Sequence, residues 1–229
     1  MRKNSTLKKM YIAVIGDLVD SKHLKARNGV QEKLKEVLLS INNEYSIAVS
    51  SKLMITLGDE FQGLLQVAEP VIEIIEKIAF NMHPVKIRFG IGIGEISTAI
   101  DFQIPLGADG PAYYHAREVI NQLKSNERKK LQVKSDIGII SDDTNINDEL
   151  LNMIFSQNYF IKQKWTERQR EIIACYLQEN EVQSEVAKSL GINQSSIQRS
   201  LKASGFYIYK QALQSIKKEL MKMKEVQDV

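Results

Sequence analysis

The stretch Tyr11-Ile12-Ala13-Val14-Ile15-Gly16-Asp17-Leu18-Val19 decides the fold. A near-continuous β-type apolar run ended by Gly-Asp reads as a buried strand running into a turn. The segment Ile55-Thr56-Leu57-Gly58-Asp59-Glu60-Phe61-Gln62-Gly63 repeats the pattern. There the apolar stretches Ser51 to Leu57 and Phe61 to Val67 flank Gly58-Asp59-Glu60, which predicts a β-hairpin. With the two strands as neighbours, Asp17 and Asp59 would face each other across one sheet edge. Adjacent carboxylates repel unless a cation lies between them, and hard oxygen ligands suit Mg²⁺ or Mn²⁺. Such a pair is what metal-assisted nucleotide chemistry uses. The plainer alternative is a pair of ordinary turns, with Gly supplying φ > 0 and Asp bonding its own backbone.

Further elements extend the first strand into a domain. Val30, Leu34, Val37, Leu38 and Ile41 share one helical face, and Pro70 opens a helix carrying Val71, Ile74, Ile75 and Ile78 toward Met82. Val85 to Ile96 is a strand in which Gly90, Gly92 and Gly94 alternate with isoleucines. This spacing is not a dinucleotide fingerprint, and glycine on one strand face points instead to the close approach of a helix or a neighbouring backbone. A helix through Ala116, Val119, Ile120 and Leu123 follows, then a closing pair of strands at Leu131–Lys134 and Ile137–Ile140. The order β-α-β-β-α-β, then a helix and a further strand, predicts an α+β fold. It is a ferredoxin-like (palm) antiparallel sheet with helices on one face.

The order of these pieces resembles class III nucleotide cyclases and the related GGDEF domains over about residues 10–140. The pieces that match are strand-Gly16-Asp17-Leu18-Val19, the hairpin Gly58-Asp59-Glu60-Phe61, the strand Val85 to Gly94, and Gly110 with Ala116-Arg117. The resemblance implies that Asp17 and Asp59 bind a metal pair, that the Leu18 carbonyl adds a ligand, and that Glu60 competes with Asp59. It places Arg117 on a nucleotide. Two residues depart from the cyclase pattern. Ile55 stands where a base-reading Lys belongs, and Tyr113 stands where an Asn precedes the transition-state Arg. Without its charge-stabilising donors a phosphoryl-transfer site loses its largest catalytic contribution. Across the whole chain, Tyr11-Ile-Ala-Val-Ile-Gly-Asp-Leu-Val-Asp-Ser-Lys22, the hairpin and a terminal helical module resemble the SatD family, a bacterial group.

From Trp165 onward the period is helical. Thr166 and Gln169 fit a capping box, and Ile172, Ile173, Tyr176 and Leu177 form the apolar face behind it. The spacing Ala187, Gly191, Ile197 supplies a small crossing residue, a turn glycine and an apolar anchor, with Asn193 as N-cap. It resembles helix-turn-helix modules of sigma-factor and response-regulator types over about residues 164–210. Gln194, Ser195, Ser196, Gln198, Arg199 and Lys202 then lie on the outward face, and these types suit base edges and phosphates. A plain trihelical bundle would also turn polar residues outward. The tail Tyr207 to Met223 is an amphipathic helix that packs on the bundle or pairs with another chain.

Composition sets the frame. The net charge of +3 is small, but residues 160–229 hold twelve Lys/Arg against eight Asp/Glu, a modest pointer to nucleic acid. The single Cys175 excludes an internal disulfide framework, and core packing is its default role. His23, His83 and His115 show no ligand spacing. No segment reads as a secretory signal or approaches the roughly 20 apolar residues of a membrane span, so a cytoplasmic location is expected. Two domains are expected, a cyclase-like palm over 10–155 and a helix-turn-helix with its C-terminal helix over 160–229. The reading that follows is a homodimeric regulator of double-stranded DNA with a metal-nucleotide effector. A nucleotidyl-cyclase-type enzyme and a catalytically inert adaptor remain the alternatives.

Overall fold

The computed structural model describes residues 9–21, 27–129 and 133–223. Among them five strands and eight helices follow in the order β1 (Tyr11–Leu18), α1 (Arg27–Glu44), β2 (Val49–Leu57), β3 (Glu60–Leu65), α2 (Val71–Met82), β4 (Ile87–Gly94), α3 (Pro111–Arg128) and β5 (Ile137–Ser141). The helices α4 (Asp148–Lys162), α5 (Glu167–Gln178), α6 (Gln183–Leu190), α7 (Gln194–Ala203) and α8 (Phe206–Leu220) complete the series. The mixed α and β class and the β-α-β-β-α-β order are as expected. The strands form one open sheet in the order β2-β3-β1-β4-β5. β1 lies antiparallel to both β3 and β4, and β5 joins parallel to β4 after the α3 crossover.

Strand alternation sends Ile12, Val14 and Leu18 to one face of the sheet. There they meet Phe61, Phe89, Ile91 and Ile93, and behind these Leu34 and Leu38 of α1 and Ile74, Ile75 and Ile78 of α2. The opposite face, with Ala13, Ile15 and Leu64, is covered by α3 through Ala112, Tyr113, Ala116 and Ile120. Helices therefore cover both faces, which corrects the one-sided arrangement read from element order. The reason lies in β4. A Cβ on Gly90 or Gly92 would fall inside the backbone of Ala116 or Ala112, so these glycines let α3 lie against the strand. Close approach is thus the role of the glycine strand, as its spacing predicts.

The hairpin is as read: Gly58, in the left-handed region at φ +60°, and Asp59 join β2 to β3. Of the two closing strands, Ile137–Ser141 forms. Val133 and Lys134 lie outside any strand, and Leu131 and Gln132 fall outside the described residues. His23 falls outside them too.

A second core gathers Trp165, from the connection between α4 and α5, with Ile172, Ile173, Tyr176, Val186, Ile197, Leu201, Phe206 and Tyr209 from the helices that follow. Cys175 packs at its margin, half-buried. Helix α8 serves both cores: Phe206 and Tyr209 belong to the second, Ile216 and Leu220 to the first. Among the described residues no helix is long and apolar enough to cross a membrane.

Candidate functional site

Register brings the first cluster together. Asp17 on β1 pairs with Glu60 on β3 and with Arg88 on β4, so the three side chains stand in a row on the α3 face. Asp59 is one residue off this row, in the turn. The expectation that Asp17 faces Asp59 is thus corrected, because the pairing register selects Glu60 as the neighbour. Asp59 turns to Ser21, whose hydroxyl donates to its Oδ2, while its carbonyl accepts from the Leu18 amide at 3.0 Å.

Every oxygen of the two buried carboxylates is matched by a cation. Asp17, only 4% exposed, accepts from Arg88 Nη1 at 2.7 Å on Oδ2 and from Lys124 Nζ at 2.7 Å on Oδ1. Arg88 also grips Glu127, through Nε at 3.0 Å and through Nη2. Arg117 forks onto both oxygens of Glu60, with Nη2 to Oε1 at 2.6 Å. Lys124, Glu127 and Arg117 all come from α3, so three carboxylates and three cations lock this helix to the strand ends. Burial works against the Arg88 charge, but Glu127 and then Asp17 outweigh it and hold the guanidinium above its ordinary pKa.

This donor set does not fit the metal pair that the cyclase resemblance implies. A divalent ion on Asp17 would have to displace Arg88 or Lys124, and one on Glu60 would have to displace Arg117. Among the described residues no group of three or more His, Cys, Asp or Glu side chains could hold a metal. Leu18, offered as a carbonyl ligand, buries its side chain in the main core. Tyr113, standing at the cyclase Asn position, is buried on the sheet-facing side of α3, where desolvation raises its phenol pKa. The cluster positions α3; it holds no free carboxylate.

The second cluster lies on α6 and α7. Thr166 and Gln169 form the capping box at the head of α5. Gly191, at φ +63°, ends α6, and the Ile192 amide returns to the Ala187 carbonyl at 3.0 Å. Asn193 occupies the N-cap of α7 without a side-chain cap bond. Val186, Ile197 and Leu201 bury the inner faces. Gln194, Ser195, Gln198, Arg199 and Lys202 are exposed along α7, and Ser196 is half-buried. Arg199 rests on its own helix, with Nε 3.3 Å from the Ser195 carbonyl and Nη2 3.3 Å from Ser196 Oγ.

A family model, that of the SatD family, matches residues 11–221. The chain belongs to the SatD family. No curated protein matches it. Among solved structures, this SatD chain is similar to a regulator of polyketide synthase expression from Bifidobacterium adolescentis. That similarity is 11% identity over 95% of this chain and 86% of that one, with a TM-score of 0.28.

Reading the SatD sequence alone missed Arg88, Lys124 and Glu127. Arg88 carried a signal, since it falls in phase with Gly90, Gly92 and Gly94 on the glycine face of β4. A charge in that phase had to sit beneath whatever helix the glycines admit. Lys124 and Glu127 carried none beyond their position on α3.

Proposed function

We propose that this SatD-family protein is a DNA-binding regulator that reads double-stranded DNA through a helix-turn-helix formed by α6 and α7. The observation that carries the reading is the division of α7. Ile197 and Leu201 anchor it inward, while Gln194, Ser195, Gln198, Arg199 and Lys202 are exposed. Gln and Arg suit adenine and guanine edges in the major groove, and Lys and Ser suit phosphates. On this reading the chain has two parts, a palm-like unit over 10–155 and the DNA-reading module over 160–229, and it acts as a C₂ homodimer on paired half-sites. The β2-β3-β1-β4 order with antiparallel neighbours supports a ferredoxin-like ancestry for the first part. The cyclase-type alternative draws no support from Asp17 and Glu60, whose oxygens are committed to Arg88, Lys124 and Arg117.

The test is selection from a random duplex library, followed by binding isotherms on any enriched site. The double change Gln198→Ala with Arg199→Ala is expected to cost about 1–3 kcal/mol for each base edge that is no longer read, and to relax specificity there. Lys202→Ala is expected to weaken all duplexes alike and lower the salt slope by about 1. Failure of the library to enrich any sequence would sink the DNA-binding reading.

A further inference from the structure

The free edge of a sheet is a ready template for a second copy, and both edges of this sheet carry a cap. Asn152 of α4 accepts from the Ile139 amide of β5 at 2.9 Å and donates to the Ile139 carbonyl at 2.8 Å. Asn42 of α1 does the same for Leu53 of β2, at 2.8 Å in both directions. With these edge groups taken, a second copy is left with helix faces.

The outer face of α4 has the pattern of such a contact. Leu150, Met153, Gln157, Phe160 and Lys164 are all exposed and follow at intervals of three, four, three and four residues. That is the spacing of a coiled-coil seam. The inner face of the same helix, with Leu151, Phe155 and Asn158, is buried within the molecule, so the outer seam is additional to the helix's own packing. Single exposed apolar residues need no explanation. Leu150, Met153 and Phe160, at 40%, 53% and 56% exposure, instead stand in one line.

The seam is complementary to itself when two copies of α4 lie antiparallel about a two-fold axis level with Phe155. Leu150 then meets Phe160 of the second copy, and Met153 meets Gln157. Charge complementarity fixes the direction. Glu149 lies in the first turn of α4 and Lys164 just past its end. Among the described residues neither makes an ion pair, and Lys164 Nζ rests over the Phe160 ring, 3.6 Å from its centroid. Antiparallel pairing brings Glu149 of each copy toward Lys164 of the other. A parallel pair would set like charges together at both ends.

We infer that α4 is the seam of a C₂ homodimer, in which two copies pack this helix antiparallel through Leu150, Met153 and Phe160. The inference rests on the homodimeric part of the reading above and is independent of DNA recognition by α7. One 15-residue helix from each copy gives a contact about 22 Å long. So short a contact is a small interface, and monomer and dimer exchange.

Sedimentation of the full-length protein without DNA, at concentrations rising to about 0.5 mM, reads this equilibrium. A dimer is expected. Met153→Glu, at an exposed position, sets a carboxylate into the seam and is expected to raise Kd at least about tenfold. Phe160→Glu is a second variant of the same kind, and circular dichroism checks that each is folded. Glu149→Lys puts like charges at both ends and is expected to weaken the dimer roughly fivefold. Adding Lys164→Glu restores opposite charges and is expected to recover the parent Kd. A protein that is monomeric throughout overturns the inference and the homodimeric reading together. A dimer that survives both Met153→Glu and Phe160→Glu overturns the α4 seam alone and leaves the homodimer standing on another face. A charge swap that does not recover binding overturns the antiparallel pairing.

Discussion

A carboxylate as deep as Asp17 needs its charge answered, and Arg88 and Lys124 answer it on separate oxygens. Desolvation cancels much of what such a pair gains, so its presence adds little net stability, while removing one partner strands the other. Arg88→Met leaves Asp17 and Glu127 facing an apolar neighbour, and about 3–5 kcal/mol of stability should be lost in urea unfolding. Adding Asp17→Leu to that variant is expected to restore a large share of the loss. If Arg88→Met alone lowers the unfolding free energy by less than about 1 kcal/mol, the ionic lock on α3 is not what holds it. Asp17 was legible in the sequence because an acid closes an apolar run. Its partners were not, because register and the α3 crossover choose them, and neither is written in local pattern.

Secondary elements were the most readable layer, and α3 shows where that stops. Its apolar positions, Ala116, Val119, Ile120 and Leu123, follow the helical period and are all buried. The period says which side of a helix is apolar, not which face of a sheet it will cover. The face was set by β4, where Gly92 leaves room for the Ala112 carbonyl. Gly92→Ala places a methyl group inside that backbone, so α3 must shift outward along its length. A loss of about 1–3 kcal/mol is expected, the usual cost of overpacking, with the same urea midpoint as readout. An unchanged midpoint would mean that α3 is less closely seated than described. The hairpin turn and the α5 capping box were fully legible, since both are built from neighbours in sequence.

At the scale of the whole molecule, the two cores meet at Glu76, which faces Tyr209 of α8, Lys162 of α4 and Asp136 before β5, with Arg170 of α5 close to Tyr209 and Lys162. Burial pushes its carboxyl above the ordinary 4.5, against the pull of Lys162 and Tyr209. The folded protein therefore holds this proton more tightly than the unfolded chain, and protonation favours folding. That contribution is complete below about pH 4.5 and shrinks as pH rises above it. Glu76→Gln, which cannot titrate, should gain stability relative to the parent between pH 4.5 and neutrality, measured by urea unfolding at each pH. A gap that closes or reverses over this range would show that Glu76 is well satisfied as an anion. None of this junction was legible in the sequence, because Glu76 reads there as one more polar position on an apolar helix.

Helix α8 gives Ile216 and Leu220 to the same apolar layer as Ile12 and Leu34. During synthesis on a ribosome, β1 and α1 are made long before α8 leaves the exit tunnel. Until then the first core carries an open apolar seam beside α2 and α4, of the kind that chaperones and aggregation both exploit. Helix α8 is thus a closing piece for a much older part of the nascent chain.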